Sequence, residues 1–78
     1  MAPRDLSGFP NARRVKAKTG YAGGLRARWR DANSDILEWD ARHGRVECYN
    51  SQGKHLGEFD AQTGKQLSPA NSTRKVEP

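Results

Sequence analysis

The chain has 78 residues, of which 33% are hydrophobic, and a formal charge of +5 at neutral pH. Its mean hydropathy is -1.03 and its pI about 9.9. That length holds one small domain with a modest core, since a chain this short buries only about 60% of its potential surface. The single cysteine, Cys48, excludes an intramolecular disulfide and a CxxC metal motif, and no apolar run has the length of a membrane span or resembles a signal peptide.

In chain order, residues 1–24 read as an irregular basic N-terminal arm. Pro3, Gly8, Pro10, Gly20, Gly23 and Gly24 interrupt it repeatedly. Within it, one short helix is expected from Asn11 to Lys18, with Asn11 as its N-cap. Residues 1–30 carry eight Lys/Arg against one acid, Asp5, whereas residues 31–78 carry six Lys/Arg against eight acids. The arm is therefore suited to holding an anion and the acidic centre to acting on it.

From Leu25 the pattern becomes short alternating runs. Strands are predicted at Leu25–Arg30, Ile36–Asp40, Arg45–Tyr49, His55–Phe59 and, briefly, Lys65–Leu67. Turn-forming clusters separate them, which predicts a mainly β domain over 25–78, a small, strongly twisted antiparallel meander. Residues 68–78 read as a loosely ordered tail. The echo of Gly53-Lys54-His55-Leu56 in Gly64-Lys65-Gln66-Leu67 reads as repeated turn chemistry.

Period-two alternation sorts the side chains onto two faces. Trp29, Leu37, Trp39, Val46 and Cys48 form a plausible core. Arg26, Arg28, Arg30, Glu38, Asp40, Arg45, Glu47 and Tyr49 point the other way. A symmetric second hairpin sets Asp40 against Arg45 and Glu38 against Glu47. Two glutamates directly opposite repel unless something uses them.

Asp40, His43 and Glu47 fall within eight residues around that hairpin turn. A carboxylate, an imidazole and a guanidinium suffice to cut RNA without a metal, because the 2′-hydroxyl is a built-in nucleophile. An ordinary carboxylate is ionised at neutral pH and an ordinary imidazole titrates near ~6.5. Glu47 is then the base, His43 the acid and Asp40 the group that keeps His43 charged; the first two roles can be exchanged. Arg26, Arg28, Arg30, Arg45 and Lys54 are candidates for gripping phosphate, and Tyr49 for stacking on a base. Cys48 reads as a small buried residue and His55 as a strand-end or surface histidine. The spacing of His43, Cys48 and His55 matches no standard zinc pattern. A non-catalytic basic RNA-binding module, which needs the arginines but not the acids, is the alternative. A ribonuclease of broad RNA specificity is a further one.

Arg28-Trp29, Leu37-Glu38-Trp39-Asp40, His43-Gly44, Glu47, Tyr49, His55-Leu56-Gly57, Phe59-Asp60, Thr63-Gly64 and Gln66-Leu67 together resemble the cytotoxic ribonuclease domain of the ribosome-inactivating colicins and cloacin. The likeness covers about residues 25–78, with a looser echo at Asp5-Leu6 and Gly8-Phe9-Pro10. It departs at Cys48, where a glycine is expected, and in a turn after Tyr49 that is one residue shorter. The resemblance implies a twisted antiparallel sheet that cleaves small-subunit ribosomal RNA at the decoding site, with catalytic residues at Asp40, His43, Glu47 and Arg74. It implies no metal or other cofactor, a ribosome target and a cognate immunity protein. It further implies a monomeric C-terminal domain of a larger secreted toxin, which makes no membrane contact of its own and acts in the cytoplasm of a target bacterium.

Overall fold

The computed structural model describes residues 2–78. Eight strands follow in order: β1 (Arg13–Val15), β2 (Gly20–Tyr21), β3 (Gly24–Leu25), β4 (Arg28–Arg30), β5 (Ile36–Asp40), β6 (Arg45–Tyr49), β7 (His55–Phe59) and β8 (Gln66–Ser68). All but β2 and β3 form one antiparallel sheet in the order β1-β4-β5-β6-β7-β8, while β2 and β3 make a small hairpin of their own. The described residues contain no helix. The fold is mainly β, as the alternation predicts, and β5, β6 and β7 have the predicted bounds.

Three expectations are corrected, the third at the C-terminal tail. The helix over Asn11–Lys18 is absent. Arg13, Arg14 and Val15 instead pair with Arg30, Trp29 and Arg28 as an edge strand, and the Arg14 guanidinium lies 5.1 Å from the Trp29 ring centroid. The ladder and this cation–π contact outweigh a weak local preference. The strand expected over Leu25–Arg30 is divided at Arg26, whose N–H donates to the Thr19 carbonyl (2.8 Å) instead of joining the sheet.

The central register is regular. Asp40 faces Arg45, Trp39 faces Val46, Glu38 faces Glu47 and Leu37 faces Cys48. Three turns share one chemistry. Asp40, Asn50 and Asp60 each accept backbone N–H groups two to four residues on. Gly44, Gly53 and Gly64 close the loops with positive φ, a region where glycine is unstrained.

One face of the sheet is the apolar core: Leu6, Ala27, Trp29, Leu37, Val46 and Cys48, with Phe9, Trp39 and Phe59 against it. The N-terminal stretch supplies part of this packing, since Leu6 is buried and Phe9 meets Phe59 edge-on at 6.1 Å. The opposite face is also buried, but by charge. Arg28, Glu38, Glu47, Tyr49 and His55 are all inaccessible there.

Residues 69–78 cover that polar face. The expected loose tail is in fact tied down: Val76 N–H donates to the Gly53 carbonyl at 2.9 Å and His55 N–H to the Arg74 carbonyl at 3.2 Å, and Lys75 forms a β-bridge with Lys54. The Pro78 carbonyl accepts from Lys18 and Arg30.

Candidate active site

The polar face carries one continuous rung across six strands. Val15, Arg28, Glu38, Glu47, Glu58 and Ser68 are successive cross-strand partners. Three adjacent glutamates sit at its centre. Such neighbours have Cβ atoms about 4.5–5.5 Å apart, so each carboxylate needs its own counter-charge.

Each has one. Glu38 Oε2 accepts from Arg28 Nε (2.9 Å) and from Thr19 Oγ1 (2.7 Å), with Arg28 Nη2 2.7 Å away. Glu47 is held on both oxygens. His55 Nε2 lies 2.7 Å from Oε1 and Arg74 Nη1 lies 3.1 Å from Oε2. Glu58 Oε1 accepts from Arg45 Nη1 at 3.1 Å. Glu38 Oε1 is left buried with no hydrogen-bond partner.

His55 is fixed in one tautomer. The Asn71 N–H donates to its Nδ1 at 2.9 Å, so Nε2 carries the hydrogen and donates to Glu47 Oε1. Arg74 Nη2 donates to the Tyr49 hydroxyl at 3.2 Å. Burial pushes the Tyr49 phenol up, and the charges of Glu38 and Glu47 add to it against Arg74.

The second pair lies at the β5–β6 turn. Asp40 Oδ1 accepts the N–H groups of Arg42 and His43, and Oδ2 lies 2.7 Å from His43 Nδ1. Asp40 is buried, whereas the His43 side chain is 56% exposed. With Nδ1 engaged, Nε2 is the nitrogen free to meet a substrate. Burial alone would raise the Asp40 carboxyl. The hydrogen bonds from His43, with the charges of Arg26 and His43, outweigh it and hold the group below the usual carboxylate range.

Asp40, His43, Glu47 and Arg74, the residues singled out in the sequence, thus lie on one face, joined through Glu58. The donor atoms of Asp40, His43 and Glu58 lie within 4.8 Å of one another. Arg45, paired to Glu58, puts a positive charge beside this trio and opposes a cation there. Cys48 lies on the other face, and burial pushes its thiol up to about 12.

The expected phosphate-gripping set needs correction. Arg28 is buried and committed to Glu38, so it does not reach a ligand. Tyr49 is buried as well and is unavailable for stacking. Arg30 is half-buried, donating to the Ser34 and Pro78 carbonyls. Arg26 and Arg45 are half-buried and Lys54 is exposed. Lys54 joins His55, Ala70, Ser72, Arg74 and Lys75 around a cavity of about 540 Å³ beside the Glu47 cluster.

His55 is at a strand end, the first residue of β7, but it is buried and not a surface residue. The register shift between Cys48 and Tyr49 pairs Tyr49 with His55 and leaves Leu56 as the extra residue. Simple alternation puts His55 on the core face with Gly57 and Phe59. The bulge inverts it onto the polar face. Glu58 was missed for a different reason: one carboxylate on an exposed-looking strand carries no signal until its neighbours across the sheet are known.

A family model described as Cytotoxic matches residues 1–77. Cloacin of Escherichia coli is 42% identical over 76 residues, covering 92% of this chain and 14% of that protein. Colicin-E6 of the same organism is 41% identical with the same coverage. Colicin E3 is 46% identical over 56 residues, covering 69% of this chain and 10% of its own length. The chain therefore spans about one seventh of the first two relatives and less of the third.

Proposed function

As a member of the Cytotoxic domain family, this chain is a toxin domain, and we propose that it is a metal-independent endoribonuclease that cuts small-subunit ribosomal RNA at the decoding site. The observation that carries the reading is the single polar face on which Asp40 holds His43 at 2.7 Å and Arg74 holds Glu47 at 3.1 Å.

In this mechanism Glu47 takes the 2′-hydroxyl proton, and the oxygen attacks the adjacent phosphorus. His43, presenting Nε2 outward, protonates the departing 5′-oxygen. Asp40 orients the imidazole and stabilises its charged form. Arg74 stabilises charge on the phosphorane. The products are a 2′,3′-cyclic phosphate and a 5′-hydroxyl. The basic cavity of Lys54, Arg74 and Lys75 is suited to the neighbouring phosphates, with Arg45 beside Glu58 and Arg26 near Asp40 as further contacts. A cognate immunity protein covering this face, and delivery as the C-terminal part of a larger toxin into a target cell, belong to the same proposal.

The test is incubation of intact bacterial ribosomes with the domain in excess EDTA, followed by a gel of the RNA. One short fragment from the 3′ end of the small-subunit RNA is expected. A smear would keep the ribonuclease and remove the ribosomal specificity. Intact RNA from a folded, inhibitor-free preparation would leave a binding module.

A further inference from the structure

Glu47 is the proposed base, yet its side chain is 1% exposed and both its oxygens are already engaged, Oε1 by the His55 hydrogen bond and Oε2 by the Arg74 ion pair. A turnover leaves the base protonated and His43 without its proton. Before the next cycle the Glu47 proton must leave a buried site, and a proton must return to the imidazole.

One side chain spans that gap. Glu58 is the direct cross-strand partner of Glu47, is 18% exposed, and has a carboxylate oxygen within 4.8 Å of donor atoms of Asp40 and His43. Arg45 anchors it at 3.1 Å. It falls at the unspecified position of the His-Leu-Gly-x-Phe-Asp run, outside the residues that the resemblance assigns to chemistry. From this geometry we propose that Glu58 is a further active-site acid, a positioning residue that shares a proton with Glu47 and relays it to His43.

The relay rests on the ribonuclease reading and balances within it. The Glu47 O–H bond breaks as a Glu58 O–H bond forms. That proton then passes to the His43 imidazole, restoring the imidazolium and both carboxylates, with no net gain or loss. The surroundings favour sharing. Beside Glu47, its largest influence, the Glu58 carboxyl is held below its usual range against burial, with help from Ser68 and Arg45. Glu38, the other neighbour of Glu47, has a buried oxygen without a donor. The remaining titratable and charged groups facing the pair are His55 and Arg74 on Glu47, and Asp40 and His43 beyond Glu58.

Two measurements test it. In carboxyl-labelled protein, NMR titration should show Glu47 and Glu58 ionising as a coupled pair in two steps, collapsing to one step at Glu47 in Glu58→Gln. An unaltered Glu47 titration in that variant overturns the proposal. In ribosome cleavage, Glu58→Gln should slow multiple turnover more than single turnover. Its multiple-turnover rate should fall about tenfold further, less than the roughly 10²–10⁴ that a general acid or base itself supplies, and Glu58→Asp should restore most of it. An unchanged ratio of the two rates in an active enzyme overturns the relay alone. Failure of the wild type to cleave RNA overturns the ribonuclease reading and the relay, while the NMR result still decides whether the acids are paired.

Discussion

His43 is the most exposed member of the site and its side chain is tied to Asp40 at a turn, so its replacement isolates chemistry from folding. In His43→Ala, cleavage of ribosomal RNA is expected to fall by about 10²–10⁴ while ribosome binding persists; binding by sedimentation and cleavage by gel are read on the same sample. The same variant carries a pH signature. The folded-state Asp40 carboxyl lies below its ordinary value of 3.8 because of His43. The stability it contributes is present above that value and lost as pH falls through the lower folded value. Wild type should therefore lose stability more steeply than His43→Ala below about pH 4, as followed by denaturant midpoints against pH. His55 tests the other pair. His55→Phe keeps a ring beside Tyr49 but removes the donor to Glu47. A buried carboxylate stripped of a partner costs about 3–5 kcal/mol, so the denaturation midpoint should drop sharply and cleavage with it.

At the scale of elements, the tail and β7 decide whether the site exists. Gly53 has φ +85°, and a Cβ there would overlap the Val76 carbonyl. Gly53→Ala should undock residues 71–78, withdrawing Arg74 from Glu47 and the Asn71 N–H from His55. The Val76 amide should then lose hydrogen-exchange protection, and cleavage should drop while β5 and β6 stay protected. Protection of Val76 equal to wild type would contradict this account of the tail. These elements also mark where the sequence was legible. Alternation placed β5 and β6 and their pairing to the residue, because Trp39, Val46, Leu37 and Cys48 share a face that only one register buries. It could not show that the other face is covered, because the cover comes from Thr19 and from residues 69–78, which have no periodicity. Hence Arg28 and Tyr49 read as surface groups although both are buried, and a one-residue bulge hid His55. Asp40, His43 and Glu47 were legible because they are local in sequence; Arg74 depended on resemblance, and its place beside Glu47 is a long-range contact.

Across the whole molecule, an apolar layer and an ionic layer sandwich one sheet, and the net charge of +5 surrounds both. Binding to ribosomal RNA should weaken steeply with salt, since each phosphate contact releases counterions. Arg26→Gln and Lys54→Gln should each lower the slope of log affinity against log salt by about 0.7–0.9. Arg28→Gln should instead unfold the domain with no such slope effect, because that guanidinium is spent inside. Cys48 adds a practical corollary. It is the fourth of the five residues of β6, with Leu37 and Gly57 as its cross-strand partners, and burial suppresses its thiolate. An alkylating reagent reaches it only when the three middle strands part. The lone sulfur is therefore a built-in stopwatch: the rate at which it takes up label times the opening of the sheet, in any variant and without a spectroscopic probe.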